Sequence, residues 1–220
     1  MSEPGGLRTL KKERTRRTLA DTAIALFLAH GFEQVSVAEI AAAAEVSKPT
    51  LFRYFASKED LVLHRTADHR GEAAGVVRGR PPGQTPLVAL RRHFLGRLDE
   101  RDAASGLCDL PGVVAFHRLV YGTPSLSSHL LDFLAADTEA LAGALAEPPA
   151  GSTAGAPGVT DALTARLVAA QYVAVRQVLA HANWSRIAAG SSADEAAPAA
   201  LADARTAFDL LAHGAAARGC

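Results

Sequence analysis

Ser36-Val-Ala-Glu39 has the S-x-x-E form of a capping box, in which the hydroxyl and the carboxylate each satisfy an orphan backbone N–H at a helix start. A short helix is therefore predicted from Val37 to about Ala44. Glu45-Val46 makes a turn, Ser47 can cap again, and Pro49 sits in the first turn of the next helix, where its missing N–H costs nothing. That helix is predicted from Lys48 to Phe55. Two helices joined by so short a turn have the geometry of a helix-turn-helix, whose second helix enters the major groove of DNA.

The flanks extend this pattern. From Thr9 to His30 the apolar positions Leu19, Ala23, Leu26 and Phe27, with His30, recur at helical spacing, and Gly31 comes next, where a helix end favours a left-handed residue. Ser57-Lys-Glu-Asp60 is another capping pattern and starts a helix expected from Lys58 to about Arg70. Gly71 to Pro86, punctuated by Gly75, Gly79, Pro81, Pro82 and Gly83, reads as a connection. Thr85-Pro86 and Thr123-Pro124 each set a capping hydroxyl before Pro at the first helical position, opening helices at about Pro86–Arg101 and Pro124–Ala146, with another between them at about Leu110–Tyr121. Glu147 to Gly158 is a Pro/Gly-rich loop, and beyond it come two long helices, at about Thr160–Ala189 and Asp194–Ala217.

With 49 % hydrophobic residues, few aromatics and Ala-rich runs, the expected fold class is all-α. Net charge is zero, but all four lysines precede residue 60, and Arg8, Lys11, Lys12, Arg14, Arg16 and Arg17 form a basic arm before a near-neutral body. The two cysteines, Cys108 and Cys220, make neither a metal-ligand spacing nor a disulfide framework, which fits a reducing compartment. No apolar stretch is long enough for a membrane span and no signal-peptide pattern opens the chain, so a cytoplasmic protein with no membrane partner is expected.

The run Gly31-Phe32, Val35-Ser36-Val37, Ile40-Ala41, Ala44 through Phe55 and Ser57-Lys58-Glu59-Asp60-Leu61 resembles the DNA-binding signature of the TetR family along nearly its full length. It departs at Glu45, where the family often has Gly, at Pro49, where Gly or Ala is frequent, and at Phe52, where many members carry Tyr. The resemblance implies an N-terminal three-helix helix-turn-helix domain over residues 9–65, after a disordered tail of residues 1–8. A C-terminal helical ligand-binding and dimerisation domain is then expected over residues 66–220. The implied function is a transcriptional repressor that leaves a palindromic double-stranded operator when a small apolar effector binds.

On the helix Lys48–Phe55, Leu51 and Phe55 share one face and belong to the core, with Ile40 and Phe27. The other face, Lys48, Pro49, Thr50, Phe52, Arg53 and Tyr54, can meet DNA. Arg53 suits a bidentate contact to guanine, Lys48 a base edge or phosphate, and Pro49 or Phe52 a thymine methyl. Thr50, Tyr54 and Lys58 suit phosphates, as do Ser36 and Ser47 at helix starts with exposed N–H groups. The basic arm either tracks the DNA backbone or serves only as a solubilising face.

In the C-terminal region Leu110, Val114, His117 and Tyr121 recur on one helical face, so that His117 and Tyr121 either orient a ligand or are core residues satisfied by nearby backbone. Gln171 and Arg176 interrupt the apolar run Leu163–Leu179 and need partners if buried, while Arg118 or Arg176 can meet an acidic group on a ligand. That run is apolar nearly all round, which calls for cover on two sides. The family resemblance makes the second cover another subunit, giving a homodimer through the last two helices. The segments Thr123-Pro-Ser-Leu126 and Ala169-Ala-Gln-Tyr-Val-Ala-Val-Arg176 also resemble, loosely, a subgroup described as binding acyl-CoA-like ligands.

No metalloprotease, nucleophile-elbow, P-loop or dinucleotide motif is present, and the eight histidines lack zinc-like spacing, so neither catalysis nor a cofactor is expected. The competing reading keeps the DNA-binding dimer but makes the C-terminal domain a metal or redox sensor through His64, His69 or Cys108.

Overall fold

The computed structural model describes residues 4–67, 69–148 and 161–215, and these form ten α-helices, one 3-10 turn and no strand. In chain order they are α1 (Pro4–His30), α2 (Val37–Ala43), α3 (Lys48–Tyr54), α4 (Lys58–Ala67), α5 (Glu72–Arg78), α6 (Pro86–Asp99), the 3-10 turn Ala103–Ser105, α7 (Pro111–Gly122), α8 (Pro124–Ala146), α9 (Ala162–Ala188) and α10 (Ala193–Ala215). The all-α expectation is met. The loop expected over residues 147–158 and the chain end beyond residue 215 lie almost wholly outside the described residues.

The chain divides into two compact units, one of residues 1–68 with 115–130, the other of residues 69–114 with 131–220. This division is discontinuous in sequence. The first unit takes in parts of α7 and α8, and within it His129 Nε2 lies 3.2 Å from Asp60 Oδ1. A pairing across so much chain leaves no local mark in the sequence.

In the first unit the predicted starts of α2, α3 and α4 are made as the capping rules require. The Ser36 hydroxyl accepts the Glu39 N–H at 3.2 Å, and the Glu39 carboxylate accepts the Ser36 N–H at 2.7 Å. Ser47 Oγ accepts the Thr50 N–H at 3.2 Å, and Ser57 and Asp60 form the same reciprocal pair at the start of α4. The core beneath is Leu19, Ala23, Phe27, Phe32, Ile40, Leu51, Phe55 and Leu61, all buried, with the Phe27 and Phe32 ring centroids 4.8 Å apart. α1 starts at Pro4, so the helix takes in much of what reads as a tail; residues 1–3 lie outside the described set.

The turn between α2 and α3 is a Schellman motif, with the Val46 N–H on the Ala41 carbonyl at 2.9 Å and the Glu45 N–H on the Ala42 carbonyl at 3.1 Å. This geometry requires a left-handed residue, and Glu45 supplies it at φ 54°.

In the second unit the segment read as a connection contains a helix. Ala73, Ala74 and Val77 of α5 share a buried face packed with Leu87, Leu90 and Phe94 of α6, and this burial outweighs the weak helix propensity of Gly75. Gly71 and Gly79 cap the segment rather than dissolve it. α9 and α10 pack together around Tyr172 and Phe208, whose ring centroids are 6.2 Å apart, and Phe94 stands 5.9 Å from Phe208. Gly106, at φ 75°, runs against α9 so closely that a Cβ there would lie 1.9 Å from the Ala180 carbonyl oxygen.

Candidate nucleic-acid interface

α3 presents one apolar side inward and one mixed side to solvent. Leu51 and Phe55 anchor it, while Lys48, Pro49, Phe52 and Arg53 are exposed and Thr50 and Tyr54 are half-buried. Phe52 keeps 51 % of its surface accessible, an unusual cost for a large aromatic side chain unless a partner covers it. The Arg53 guanidinium lies over the Tyr54 ring, 5.5 Å from its centroid, which steers the charged group along the exposed face.

The hydroxyls behave differently. Ser36 and Ser47 are both exposed, but both are engaged as helix caps, and Ser47 Oγ is also 2.9 Å from Thr50 Oγ1. Hydrogen bonds from the Ser36 hydroxyl and then the Ser36 N–H hold the Glu39 carboxyl below its ordinary range, so a carboxylate already occupies the start of α2.

Lys58 is tied inward. Its Nζ donates to the Phe32 carbonyl oxygen at 2.7 Å and lies 4.4 Å from the Phe32 ring centroid. The basic stretch Lys11, Lys12, Arg14 and Arg17 is an exposed part of α1, not an irregular arm, and Arg16 lies over the Phe55 ring at 5.2 Å. Helical spacing in residues 9–17 was the signal for that, weak because the stretch has almost no apolar face.

The residues expected to meet an effector are divided between the two units. His117 and Tyr121 belong to the first unit and are half-buried, with ring centroids 5.9 Å apart. Burial lowers the His117 imidazole below its ordinary pKa and raises the Tyr121 phenol, and His117 Nδ1 is buried with no hydrogen-bond partner among the described residues. Arg118 is exposed. Gln171 and Arg176 belong to the second unit. Gln171 is exposed on α9 and so needs no buried partner. Arg176 is mostly buried and has its partner in Asp137, at 2.7 Å, whose other oxygen accepts the Gly71 N–H at 3.0 Å.

Of the residues in the competing sensor reading, His64 and Cys108 are buried and His69 faces Glu72 at 3.3 Å. Among the described residues no three His, Cys, Asp or Glu side chains are gathered as a metal site, and no helix is long and apolar enough to cross a membrane.

Residues 19–64, from the middle of α1 into α4, match the model of bacterial regulatory proteins of the tetR family. Over these residues the chain is similar to the TetR family. It is 40 % identical over 129 residues to the transcriptional regulator TcmR of Streptomyces glaucescens, covering 57 % of this chain and 56 % of that one. Against the transcriptional repressor KstR of Rhodococcus jostii it is 37 % identical over 87 residues, 37 % of either chain. The chain thus spans about half the length of TcmR and about a third of KstR. Both are named as regulators of transcription. The crystal structure of native NalD, a repressor of a multidrug efflux pump in Pseudomonas aeruginosa, superposes with a TM-score of 0.55 at 17 % identity, covering 89 % of this chain and 97 % of that one. At that identity the likeness is one of fold, and it takes in the C-terminal helices as well.

Proposed function

We propose that this chain is a TetR-family dimeric repressor that binds a palindromic operator through α3 and releases it when a small, largely apolar effector binds. The observation that carries DNA recognition is the exposed face of α3, where Lys48, Pro49, Phe52 and Arg53 project while Leu51 and Phe55 fix the helix. Arg53 is assigned to base reading, Phe52 and Pro49 to thymine methyl contact, and Lys48 to a base edge or phosphate. Ser36, Ser47, Thr50, Tyr54 and Lys58 are assigned to the backbone. For Ser36 and Lys58 this means sharing a group already engaged within the fold.

Dimerisation is supported by α9 and α10. Leu163 and Val178, each 67 % exposed, and Leu167 line one side of α9, and Leu210 of α10 is 73 % exposed. Isolated chains rarely leave such long apolar helix faces in water, and a second copy covering them places two α3 helices on one duplex. Effector binding is assigned to the apolar surroundings of His117 and Tyr121, where the buried His117 Nδ1 can accept from or donate to a ligand. Arg118 can meet an acidic group such as that of an acyl-CoA-like molecule.

The experiment is selection of a binding duplex from a random library, then fluorescence anisotropy on wild type and Arg53→Ala as salt is varied. Wild type should lose affinity steeply with salt, and Arg53→Ala should lose about 1 to 3 kcal/mol on the selected duplex and little on random DNA. Equal losses on both duplexes would remove Arg53 from base reading. An affinity independent of salt would sink the DNA-binding reading.

A further inference from the structure

The second unit carries a cleft of about 690 Å³ that the proposed effector residues do not touch. It is walled by α5, by the residues after it as far as Gln84, and by α6. One wall is a closed polar network. Glu72 accepts from Arg97 and faces His93 at 3.1 Å and His69 at 3.3 Å, while Arg97 also holds Asp102. Every charge in that wall is answered.

Two other cations of the lining are not answered. Arg80 donates to the carbonyls of Val77 and Gln84 but has no carboxylate partner among the described residues, and exposed Arg92 has no partner of either kind there. Val76, Pro81 and Ala89 add an apolar surface. Gly75 and Gly96 lie inside helices, where glycine costs about 1 kcal/mol relative to alanine, yet a Cβ at either would meet nothing. Packing within the protein does not account for either glycine. The open space above both is the cleft.

We infer that this cleft binds a small organic monocarboxylic acid, its carboxylate on Arg92 and Arg80 and its compact apolar body over Gly75 and Gly96. Arginine suits this task because its planar fork matches a carboxylate. The position of Glu100 sets the class. It lines the same cleft as the C-cap of α6, about 12 Å along the helix axis from Arg92, and disfavours a second negative group at that end. The proposal does not depend on DNA binding, so its failure and that of the repressor reading are separable.

The test is calorimetric titration of the full chain with benzoate, hexanoate, succinate, inorganic phosphate and the neutral analogue benzamide. Benzoate or hexanoate should bind, with benzamide, succinate and phosphate weaker by about tenfold or more, the usual weight of one charge-assisted contact. Arg92→Gln removes an exposed side chain with no internal partner among the described residues, leaves the fold intact and should weaken benzoate by a similar factor. Gly96→Leu places a Cβ where nothing lies within 4 Å and puts an isobutyl group into the cleft, so it should keep the fold and abolish binding. Arg205→Gln, on the exposed side of α10, should bind as wild type does. The inference is overturned if no carboxylate binds at about 10 mM, where even millimolar affinity registers. It is equally overturned if phosphate or benzamide binds as well as benzoate, or if both cleft variants bind like wild type.

Discussion

Lys58 Nζ sits 2.7 Å from the carbonyl oxygen of Phe32, with its charge over the Phe32 ring. The pair joins the first turn of α4 to the corner between α1 and α2, so Lys58 has a structural role before any DNA arrives. A hydrogen bond from a charged donor contributes about 1.5 to 3 kcal/mol, and the cation over the ring adds a smaller amount. Lys58→Met keeps the aliphatic stem and should lower stability by about 1 to 2 kcal/mol in urea unfolding. Unchanged stability would show that the contact is dispensable and free the side chain for a phosphate alone.

Glu45 occupies the left-handed position of the Schellman turn that separates α2 from α3. A side chain there costs about 1 to 2 kcal/mol, which glycine avoids, partly offset by the greater freedom glycine has when unfolded. Glu45→Gly should therefore raise stability by about 1 kcal/mol, read from the urea midpoint at constant slope. It removes a negative charge beside α3 at the same time, so affinity for DNA should not fall. A destabilised variant would refute the backbone argument.

These two residues mark where the sequence was legible. Ser36, Ser47, Ser57 and Pro49 announce their helices through bonds that span three residues, and a local rule reads them. Glu45 could be flagged only by comparison with a family that prefers glycine there. α5 was missed because Gly71, Gly75 and Gly79 are turn residues by every local rule, and only burial of Ala73, Ala74 and Val77 against α6 decides otherwise. Whether Gln171 was buried could not be read, because an apolar run does not say which side of a helix is covered. Arg97 meets Asp102 close by in the chain but Glu72 from a separate helix, and that remote pairing, which leaves no local mark, builds the cleft wall.

Glu72 gives a pH prediction. Burial works to raise its carboxyl, but hydrogen bonds from His69 and His93 and the Arg97 charge outweigh burial and hold it well below the ordinary range. A group whose pKa is depressed on folding contributes stability that is fully present above its unfolded pKa and lost as pH falls through the folded one. Unfolding free energies of wild type and Glu72→Gln should therefore differ most at pH 6, the wild type being more stable. The gap should narrow below about pH 4.5, where the unfolded carboxyl takes up its proton. A gap that stays constant from pH 6 to pH 3 would mean that Glu72 acts through packing and not through its charge.

Gly106 and Gly71 allow backbone strain and steric overlap to be weighed separately. Gly71 has φ 74° and ψ 3°, Gly106 has φ 75° and ψ −8°, so an alanine at either meets the same left-handed backbone cost. Their surroundings differ. A Cβ at Gly71 would meet nothing, whereas at Gly106 it would fall 1.9 Å from the Ala180 oxygen, 2.8 Å from its carbonyl carbon and 3.1 Å from its Cα. All three are backbone atoms of α9, so no side chain can rotate away. The neighbouring bond from Asn183 Nδ2 to the Ser105 carbonyl, at 3.0 Å, is buried and would be stretched by any retreat of the loop. Gly71→Ala should cost about 1 to 2 kcal/mol, the left-handed strain alone. Gly106→Ala should cost that amount and roughly 1 to 3 kcal/mol more for forced backbone movement. Thermal and urea unfolding of both variants decide the matter, since equal losses would mean that the loop yields freely and that its seat on α9 contributes little.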